Sequence, residues 1–551
     1  MTDDIVKSAK EWNSIGNAFY DKDKHDDALD AYSKAIQLDQ NYASPWYNKS
    51  RVLYTLEQYG DALQSLEKAI HLSPDEADFF YQKASVLYEL LEYGHSLETL
   101  EKALEINSSD PMFWHLKGQI LCHVFDNNKG NFSYESAIAA FEKEIELKPN
   151  NAEACFEKGV AFYFWNKFTN ALDCFNEALS IDSTLASAFN YKAMALSKMG
   201  KTQDAIDCCA KATEISPDFF YAWEQKGDLH EKLGQHEMAI ACYDHVLTQD
   251  KPPLIVLTKK GKSLANLDDH QKAIECFDKV NATIPNDDDA LYSKGLSLTN
   301  VGKTYDAMDC YHRATSSILS WLCHPYSRSD PPFLEQQHQK VVKYCDKIFE
   351  IDIDDEFALK SKIRSLFELA KLSYANVYVE KAIKLISESL VLLDKLIDRN
   401  IDDKALHNKA TMLNTLGMFH VRLGGDIEAI KCHNESIPYY DEALAINPES
   451  IITWDNKGQA LMELSRFDEA LKCFDNSIAI NPGDILALCK KSMTLRRLGR
   501  TDEAIQCRNE AKKIHPEFSA QIITNHCFFL LPILFSDDLK YFRATHFSQS
   551  F

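Results

Sequence analysis

Cysteine next to histidine is the pairing in this sequence that could hold a metal ion. It occurs at Cys122-His123, Cys323-His324, Cys432-His433 and His526-Cys527. A structural zinc site needs four such ligands at short, closed spacings. These pairs lie far apart along the chain, and no Cys-x-x-Cys motif accompanies them. The spacing therefore does not favour a zinc site, and we predict neither a metal nor a cofactor.

The short motifs of common catalytic and nucleotide-binding sites do not occur in the sequence either. It has no Gly-x-x-x-x-Gly-Lys-Ser/Thr phosphate loop, no Gly-x-Ser-x-Gly turn and no His-Glu-x-x-His pair. The net charge of −23 argues against nucleic acid as the main partner, because phosphate binding needs a basic surface. We therefore predict no catalytic residues, no enzymatic activity and no nucleic-acid partner.

Two residue types recur at one fixed spacing along the chain. Successive lysines stand 34 residues apart with one step of 41, and five cysteines keep the same interval of 34. The lysines are Lys49, Lys83, Lys117, Lys158, Lys192, Lys226, Lys260 and Lys294, and the cysteines are Cys174, Cys208, Cys242, Cys276 and Cys310. Self-similarity at a period of this length is typical of stacked helical repeats.

The elements that must position these residues are pairs of amphipathic helices. Within each period, apolar and small residues recur at spacings of three and four, which favours helices with one buried face. The clearest period, residues 451–484, carries Trp454, Gly458, Ala470, Phe474 and Pro482. This pattern resembles the tetratricopeptide repeat, and the chain is similar to long microbial scaffold arrays of that family. The resemblance implies an all-α fold, a right-handed solenoid superhelix of about fourteen helix-turn-helix hairpins with a C-terminal capping segment.

The period divides the chain into predicted domains. They are an N-terminal lead-in at 1–8, repeats one to nine at 9–321 with a longer loop in the fourth repeat at 111–151, a degenerate repeat or hinge at 322–355, two elongated repeats at 356–450, two regular repeats at 451–518, and a cap or tail at 519–551. The degenerate range begins with a segment too rich in proline and serine for a regular helix. The elongated repeats fit the insertion of one heptad in each helix, because two turns preserve the buried face.

The periodic cysteines and lysines have structural roles in this arrangement. Each cysteine stands one residue before the aromatic position of the second helix, where a small apolar side chain packs between hairpins, so we expect burial. The lysines should lay their methylene groups along the packed surface and hold the ammonium group in water. A phosphate-binding row of lysines is the alternative.

The resemblance also predicts a binding surface, because the first helices of tetratricopeptide arrays line a concave groove that binds peptides. By that analogy the predicted groove residues are Asn13, Asn17, Tyr47, Asn48, Arg51, Tyr54, Tyr81, Ser85, Tyr88, His115, Gln119, Phe156 and Tyr163. Aromatic side chains with polar tips are enriched where proteins bind. Asn13, Asn17 and Arg51 match part of the clamp that holds the C-terminal carboxylate of chaperones. The alternative is that several tyrosines pack against neighbouring repeats.

The resemblance implies a non-catalytic protein-interaction scaffold or adaptor that binds peptide segments of other proteins. The net charge favours partners with basic segments. Alternatives are the regulatory subunit of an enzyme whose catalytic chain is separate, and a self-assembling structural protein. The N-terminus lacks an apolar signal region, no run is long enough to span a bilayer, and the 15 cysteines suit a reducing compartment, so we expect a cytoplasmic protein. The apolar stretch from Cys527 to Phe535 is a candidate for capping the array or for self-association.

Overall fold

Antiparallel pairs of α-helices make up nearly all of the described chain. The structure is a computed structural model that describes residues 8–126, 131–324, 330–399 and 401–514. Those ranges contain 27 helices and one pair of two-residue strands, so the expectation of an all-α repeat fold is confirmed. The chain divides into two compact units, Met1–Val256 and Leu257–Phe551. The predicted domain ranges and the hinge stay predictions, and the tail from 519 onward lies outside the described residues.

The helices of the first unit are α1 (Ala9–Tyr20), α2 (His25–Leu38), α3 (Ala43–Thr55), α4 (Tyr59–Leu72), α5 (Ala77–Glu89), α6 (Tyr93–Ile106), α7 (Pro111–His123), α8 (Tyr134–Leu147), α9 (Ala152–Phe164), α10 (Phe168–Ile181), α11 (Ala186–Lys198), α12 (Thr202–Ile215), α13 (Phe220–Lys232) and α14 (His236–Val246). The next helix, α15 (Leu254–Asn266), contains the point at which the two units meet. The long fourth repeat holds the strands β1 (Phe125–Asp126) and β2 (Asn131–Phe132), which pair antiparallel.

The helices of the second unit are α16 (His270–Thr283), α17 (Asp288–Asn300), α18 (Thr304–Leu322), α19 (Pro331–Ile351), α20 (Glu356–Ala375), α21 (Val379–Arg399), α22 (Asp403–Arg422), α23 (Asp426–Ile446), α24 (Ile451–Glu463), α25 (Phe467–Ile480), α26 (Ile485–Arg497) and α27 (Thr501–Ile514). Helix α19 has no first helix of its own and packs between α18 and α20. The described chain therefore contains thirteen hairpins and one additional helix.

A close contact between glycine and an aromatic ring holds the two helices of most hairpins together. In α24, a Cβ atom added to Gly458 would lie 2.5 Å from the ring of Phe474 on α25. The same contact joins Gly16 to Tyr32, Gly118 to Phe141, Gly159 to Phe175, Gly227 to Tyr243, Gly261 to Phe277 and Gly295 to Tyr311. These rings are fully buried, so the absent side chain of each glycine provides the space that its ring fills.

Of the two elongated hairpins, α22–α23 keeps this contact and adds a second layer. Helices α20 and α22 have 20 residues and α21 and α23 have 21, seven more than the 13 and 14 of regular hairpins. Gly417 faces His433 in the regular position, and one heptad further along, Ala410 and Tyr440 pack in the same core cluster. The hairpin α22–α23 thus contains two equivalent packing layers, because a heptad in each helix returns the same face to the partner.

Two kinds of polar contact connect several hairpins to the preceding one. The indole nitrogens of Trp46, Trp114, Trp223 and Trp454 donate to the backbone carbonyls of Gln40, Ser108, Pro217 and Pro448 in the turn before their own hairpin. Several lysines form ion pairs with a carboxylate on the preceding helix. Within the period of 34 these are Lys83 with Glu67, Lys117 with Glu101, Lys158 with Glu142 and Lys294 with Asp278, and at the same position of later hairpins Lys362 with Asp346, Lys409 with Asp394, Lys457 with Asp441 and Lys491 with Asp475. These ammonium groups meet carboxylates instead of lying free in water, which gives no support to a phosphate-binding row.

The periodic cysteines are buried, as their spacing predicts. Cys208, Cys242 and Cys276 are 8%, 4% and 7% exposed, and burial raises the pKa of the Cys208 and Cys242 thiols. Both effects suppress the thiolate that reacts with electrophiles. Cys323, at the end of α18, is exposed. None of the helices in the described ranges is both long enough and apolar enough to cross a membrane.

The glycine contact predicts a large difference between two Gly→Ala substitutions. Gly458→Ala should destabilise its hairpin by about 1–3 kcal/mol, because the new methyl group overlaps the Phe474 ring and one helix must shift. Gly60→Ala on α4 is the matched control, since nothing lies within 4 Å of its added Cβ. Thermal unfolding and amide hydrogen exchange of α24 and α25 would measure the effect. Equal behaviour of the two variants would contradict this account of hairpin packing.

Thiol reactivity provides a second prediction with an internal control. In the native protein, Cys323 should react rapidly with a maleimide, while Cys208, Cys242 and Cys276 react slowly and accelerate on denaturation. Mass spectrometry of labelled peptides over time would give each rate. Rapid native labelling of the three periodic cysteines would show that the hairpins do not pack as described.

Candidate functional site

The first helices of consecutive hairpins form a continuous face in the first unit. Each of α1, α3, α5, α7, α9 and α11 contacts the first helix of the next hairpin, as well as its own second helix. We call the face made by α1, α3, α5, α7, α9 and α11 the first-helix groove. It carries every residue that the sequence analysis assigned to binding, because those residues occupy equivalent turns of successive first helices.

Three asparagines join the first two hairpins at the start of the first-helix groove. The Nδ2 atom of Asn48 donates to Asn13 Oδ1 at 3.0 Å and lies 3.1 Å from Asn17 Oδ1. The hydroxyl of Tyr32 reaches between the helices and donates to Asn17 Oδ1 at 2.8 Å. These amides are therefore committed to contacts within the chain, and Asn13 itself is buried.

Arg51 lies among tyrosines and has no anionic partner in the described ranges. Its guanidinium carbon is 4.9 Å from the ring centre of Tyr20 and 6.0 Å from that of Tyr47, which are cation–π distances. Arg51 forms no ion pair with any carboxylate that the structure describes. Aromatic rings near the guanidinium leave edge N–H groups that can take a planar acceptor such as a carboxylate.

Tyr47 and Tyr81 each stack on the following hairpin and remain half-buried. The ring centre of Tyr47 is 4.7 Å from that of Phe79, and the ring centre of Tyr81 is 5.1 Å from that of Phe113. Burial raises the pKa of both phenols. One part of each ring thus stabilises the stack of hairpins, while the rest stays open to the groove. Both interpretations of the tyrosines, packing and binding, fit this placement.

Tyr54 and Tyr88 lie at the opposite end of the first helices and are also half-buried. The Tyr54 hydroxyl donates to Glu89 at 3.3 Å, and burial together with this carboxylate raises the pKa of Tyr54 to about 12. Tyr88 packs edge-on to Tyr93 and His123, with ring centres 5.6 and 5.9 Å away. Burial raises the pKa of Tyr88 to about 12, so both phenols stay protonated; the Tyr54 hydroxyl donates to Glu89, and the Tyr88 hydroxyl can donate to a ligand.

The remaining predicted residues divide between the groove surface and the core. Ser85 and Gln119 are half-buried, and the Ser85 hydroxyl donates to the backbone carbonyl of Tyr81. Phe156 and Tyr163 are only 6% and 9% exposed and belong to the core between α9, α10 and α11. Sequence spacing places them on the groove side, but neighbouring rings cover them, so they offer little surface to a partner.

His115 and Glu157 bring charge into the middle of the first-helix groove. His115 lies 3.0 Å from Glu144. Burial acts to lower the pKa of His115, but the hydrogen bond and charge of Glu144 outweigh it, so the pKa is raised. Glu157 of α9 was not among the predicted residues. Burial, opposed by His115 and reinforced by Glu153 and Glu144, raises the pKa of its carboxyl. No sequence pattern distinguishes Glu157, because the chain is acidic and many of its helices carry glutamate.

No cluster of candidate metal ligands lies in the described ranges. There, no three or more His, Cys, Asp or Glu side chains come together in a way that could hold an ion. The Cys-His neighbours of α7 and α23 belong to separate hairpins. What the first-helix groove does offer is half-exposed aromatic rings, phenol donors, and two charged groups of opposite sign.

Comparison with known proteins identifies the same repeat along the chain. The tetratricopeptide repeat family matches residues 9–42, 47–111, 152–185, 186–219, 220–252, 255–287 and 452–484. No curated protein sequence matches the chain significantly.

Several solved structures of repeat proteins superpose on part of the chain. YrrB, described as a TPR protein with an unusual peptide-binding site, is 23% identical and covers 37% of this chain and 99% of its own, with a TM-score of 0.30. MamA is 24% identical over 31% of this chain and 97% of its own, with a TM-score of 0.28. A tetratricopeptide repeat protein from Parabacteroides merdae is 16% identical over 47% of this chain and 99% of its own, with a TM-score of 0.36.

The family matches fall on hairpins whose glycine, aromatic and tryptophan contacts have the spacing of this repeat, both near the start of the chain and near its end. The chain belongs to the tetratricopeptide repeat family.

Proposed function

We propose that this protein is a non-catalytic scaffold that binds extended segments of partner proteins along the first-helix groove. The role of a protein-interaction scaffold follows from the repeat family, whose fold is typically non-catalytic. The observation that supports the groove is the row of half-exposed tyrosines on α3 and α5 around Arg51. Rings with polar tips provide large contact area at low entropic cost, which suits recognition of an extended chain.

The arrangement of these tyrosines favours an extended segment over a folded surface. Tyr47 and Tyr81 occupy equivalent turns of consecutive hairpins, as do Tyr54 and Tyr88. Two parallel rows of rings therefore run across the helices, and a segment lying along them could place side chains against successive hairpins. The phenols of Tyr47, Tyr81 and Tyr88 would donate to its backbone carbonyls, and Arg51 would take an acceptor such as a carboxylate.

Partners with basic segments remain part of the proposal. The net charge of −23 attracts positively charged chains at long range and accelerates encounter. A cytoplasmic location is also proposed, because buried thiols such as Cys208 and Cys242 suit a reducing compartment. Self-association through residues 519–551 concerns a segment outside the described residues and is proposed on its composition alone.

Peptide selection on the intact protein would test the proposal. A random dodecapeptide library on phage, panned against the full chain, should yield binders whose synthetic versions lose affinity at least about 30-fold on Tyr47→Leu/Tyr81→Leu, since a lost anchor typically costs about 2 kcal/mol or more. Leucine retains apolar contact with Phe79 and Phe113, so the stack should persist. Arg51→Gln should weaken peptides that carry a carboxylate.

Matched controls separate binding from stability in this experiment. Tyr305→Leu removes a tyrosine that is 84% exposed on α18, and Lys68→Gln removes one positive charge from the exposed side of α4. Both should bind the selected peptides normally. If the groove variants bind as well as the controls do, the groove is not the site. If Tyr47→Leu/Tyr81→Leu unfolds the first hairpins, the tyrosines act in packing.

A further inference from the structure

A cavity of about 600 Å³ opens beside the turn that joins α5 to α6. The turn, the start of α6 and the end of α7 line it, and the side chains that matter are Leu91, Glu92, Tyr93, His95, Glu98 and His123. Its volume lies within the range of about 300–1,000 Å³ that is typical of ligand sites. None of these residues belongs to the predicted groove set. We call this cavity the turn pocket.

A stacked pair of rings forms one wall of the turn pocket. The rings of Tyr93 on α6 and His123 on α7 are nearly parallel, with centres 4.8 Å apart and an angle of 11° between their planes. Tyr88 on α5 packs edge-on against both, which fixes the orientation of the pair. His123 is exposed and Tyr93 is half-buried, so the pair is open to solvent. Such a pair suits a planar cation, because the guanidinium group of arginine stacks on aromatic faces.

The charge of the turn pocket favours the same kind of ligand. Its described lining includes the carboxylates of Glu92 and Glu98 but no lysine or arginine. Glu92 lies 3.0 Å from His95 Nδ1, whereas Glu98 is exposed and forms no ion pair with any residue that the structure describes. The last backbone carbonyls of α7, which ends at His123, add partial negative charge. A cation that enters the pocket therefore meets carboxylate acceptors as well as the rings.

Leu91 has a backbone conformation that is unfavourable for leucine. Its φ is +63°, in the left-handed region, and its side chain is 69% exposed. The same turn position holds glycine or a polar residue in the other described hairpins, except for Val377. A leucine there costs free energy through its backbone and leaves an apolar side chain in water. This combination suits a residue whose side chain is covered when a ligand binds beside it.

We infer that the turn pocket binds an arginine side chain of a partner protein. The guanidinium plane would stack on the pair of Tyr93 and His123, and its edge N–H groups would donate to Glu98 and Glu92. The methylene groups would cover Leu91. Lysine has the charge but no plane to stack. The net charge of −23 accelerates encounter with such a partner. This site lies outside the set of groove residues and would give the scaffold a second point of contact.

An NMR titration of the full chain would test the inference, with N-acetyl-L-arginine amide as the probe. The ring signals of His95 and His123, assigned with the variants His95→Gln and His123→Gln, report on the pocket. The arginine probe should shift them saturably. N-acetyl-L-lysine amide, which lacks the plane, and N-acetyl-L-citrulline amide, which lacks the charge, should bind about 3-fold or more weakly. Equal binding of the citrulline probe, or equal binding of the lysine probe, would overturn the assignment to arginine.

Two substitutions with a matched control locate the binding. Glu98→Gln should weaken the arginine probe about 3-fold or more, because it removes a charged acceptor. Glu105→Gln makes the same charge change at another exposed position of α6 and should bind as wild type. His123→Gln removes one ring of the pair and should also weaken the probe, with His95 as the reporter.

The assay also has outcomes that contradict the site itself. Absence of a saturable shift, or equal affinities for Glu98→Gln and Glu105→Gln, would overturn the turn pocket. Because Glu98 and His123 are exposed, both variants should keep the thermal midpoint of the wild type, which circular dichroism would check. The probe replaces the peptides selected for the groove, so failure of the turn pocket and failure of the proposed groove are separate results.

Discussion

The contact between a helix backbone and an aromatic ring is the constraint on which this structure depends. A tyrosine or phenylalanine on the second helix can reach the interior only where the first helix has no side chain, as at Gly295 and Tyr311. Where the first helix of a regular hairpin has alanine at this position instead of glycine, the facing residue of the second helix is not aromatic either. Ala84 faces a cluster containing Leu100, and Ala193 lies with Cys209. The two positions therefore behave as one packing unit, which keeps the distance between helices short in every hairpin.

That distance determines how neighbouring hairpins meet. Because each hairpin is closed by its own core, the contacts between hairpins can repeat along the chain with little variation. Pairs such as Lys491 with Asp475 lie at the edge of this interface with the carboxylate half-exposed, so each contributes at most about 1 kcal/mol. These ion pairs recur along the chain, and they fix the register of one hairpin on the next. The tryptophan contacts to turn carbonyls have the same role at the end of each hairpin.

The stacking of hairpins creates the first-helix groove, and partly burying charged groups there costs free energy. Arg51 and Glu157 form no ion pair with another described residue despite partial burial. A stack of hairpins selected only for stability would replace both with neutral side chains. Sites that bind charged partners commonly retain such groups, because the partner provides the missing charge. The tyrosines beside them show a similar compromise, since Tyr47 uses one part of its ring for stacking and leaves another exposed.

The sequence by itself determined the all-α fold class and the small and aromatic residues that recur in each repeat. Spacing was sufficient because glycine, small residues and aromatic rings must recur at fixed intervals for helices to interlock, and the heptad of α22 and α23 could be read in the same way. Spacing could not tell which side chains of the inner face stay exposed. Only the tertiary structure showed that Phe156 and Tyr163 are covered, that lysines such as Lys158 are paired with carboxylates, and that Glu157 forms no ion pair with a described residue. Each of these depends on which residues neighbouring hairpins bring within a few ångströms, and that distance is a property of the stack and not of any one repeat.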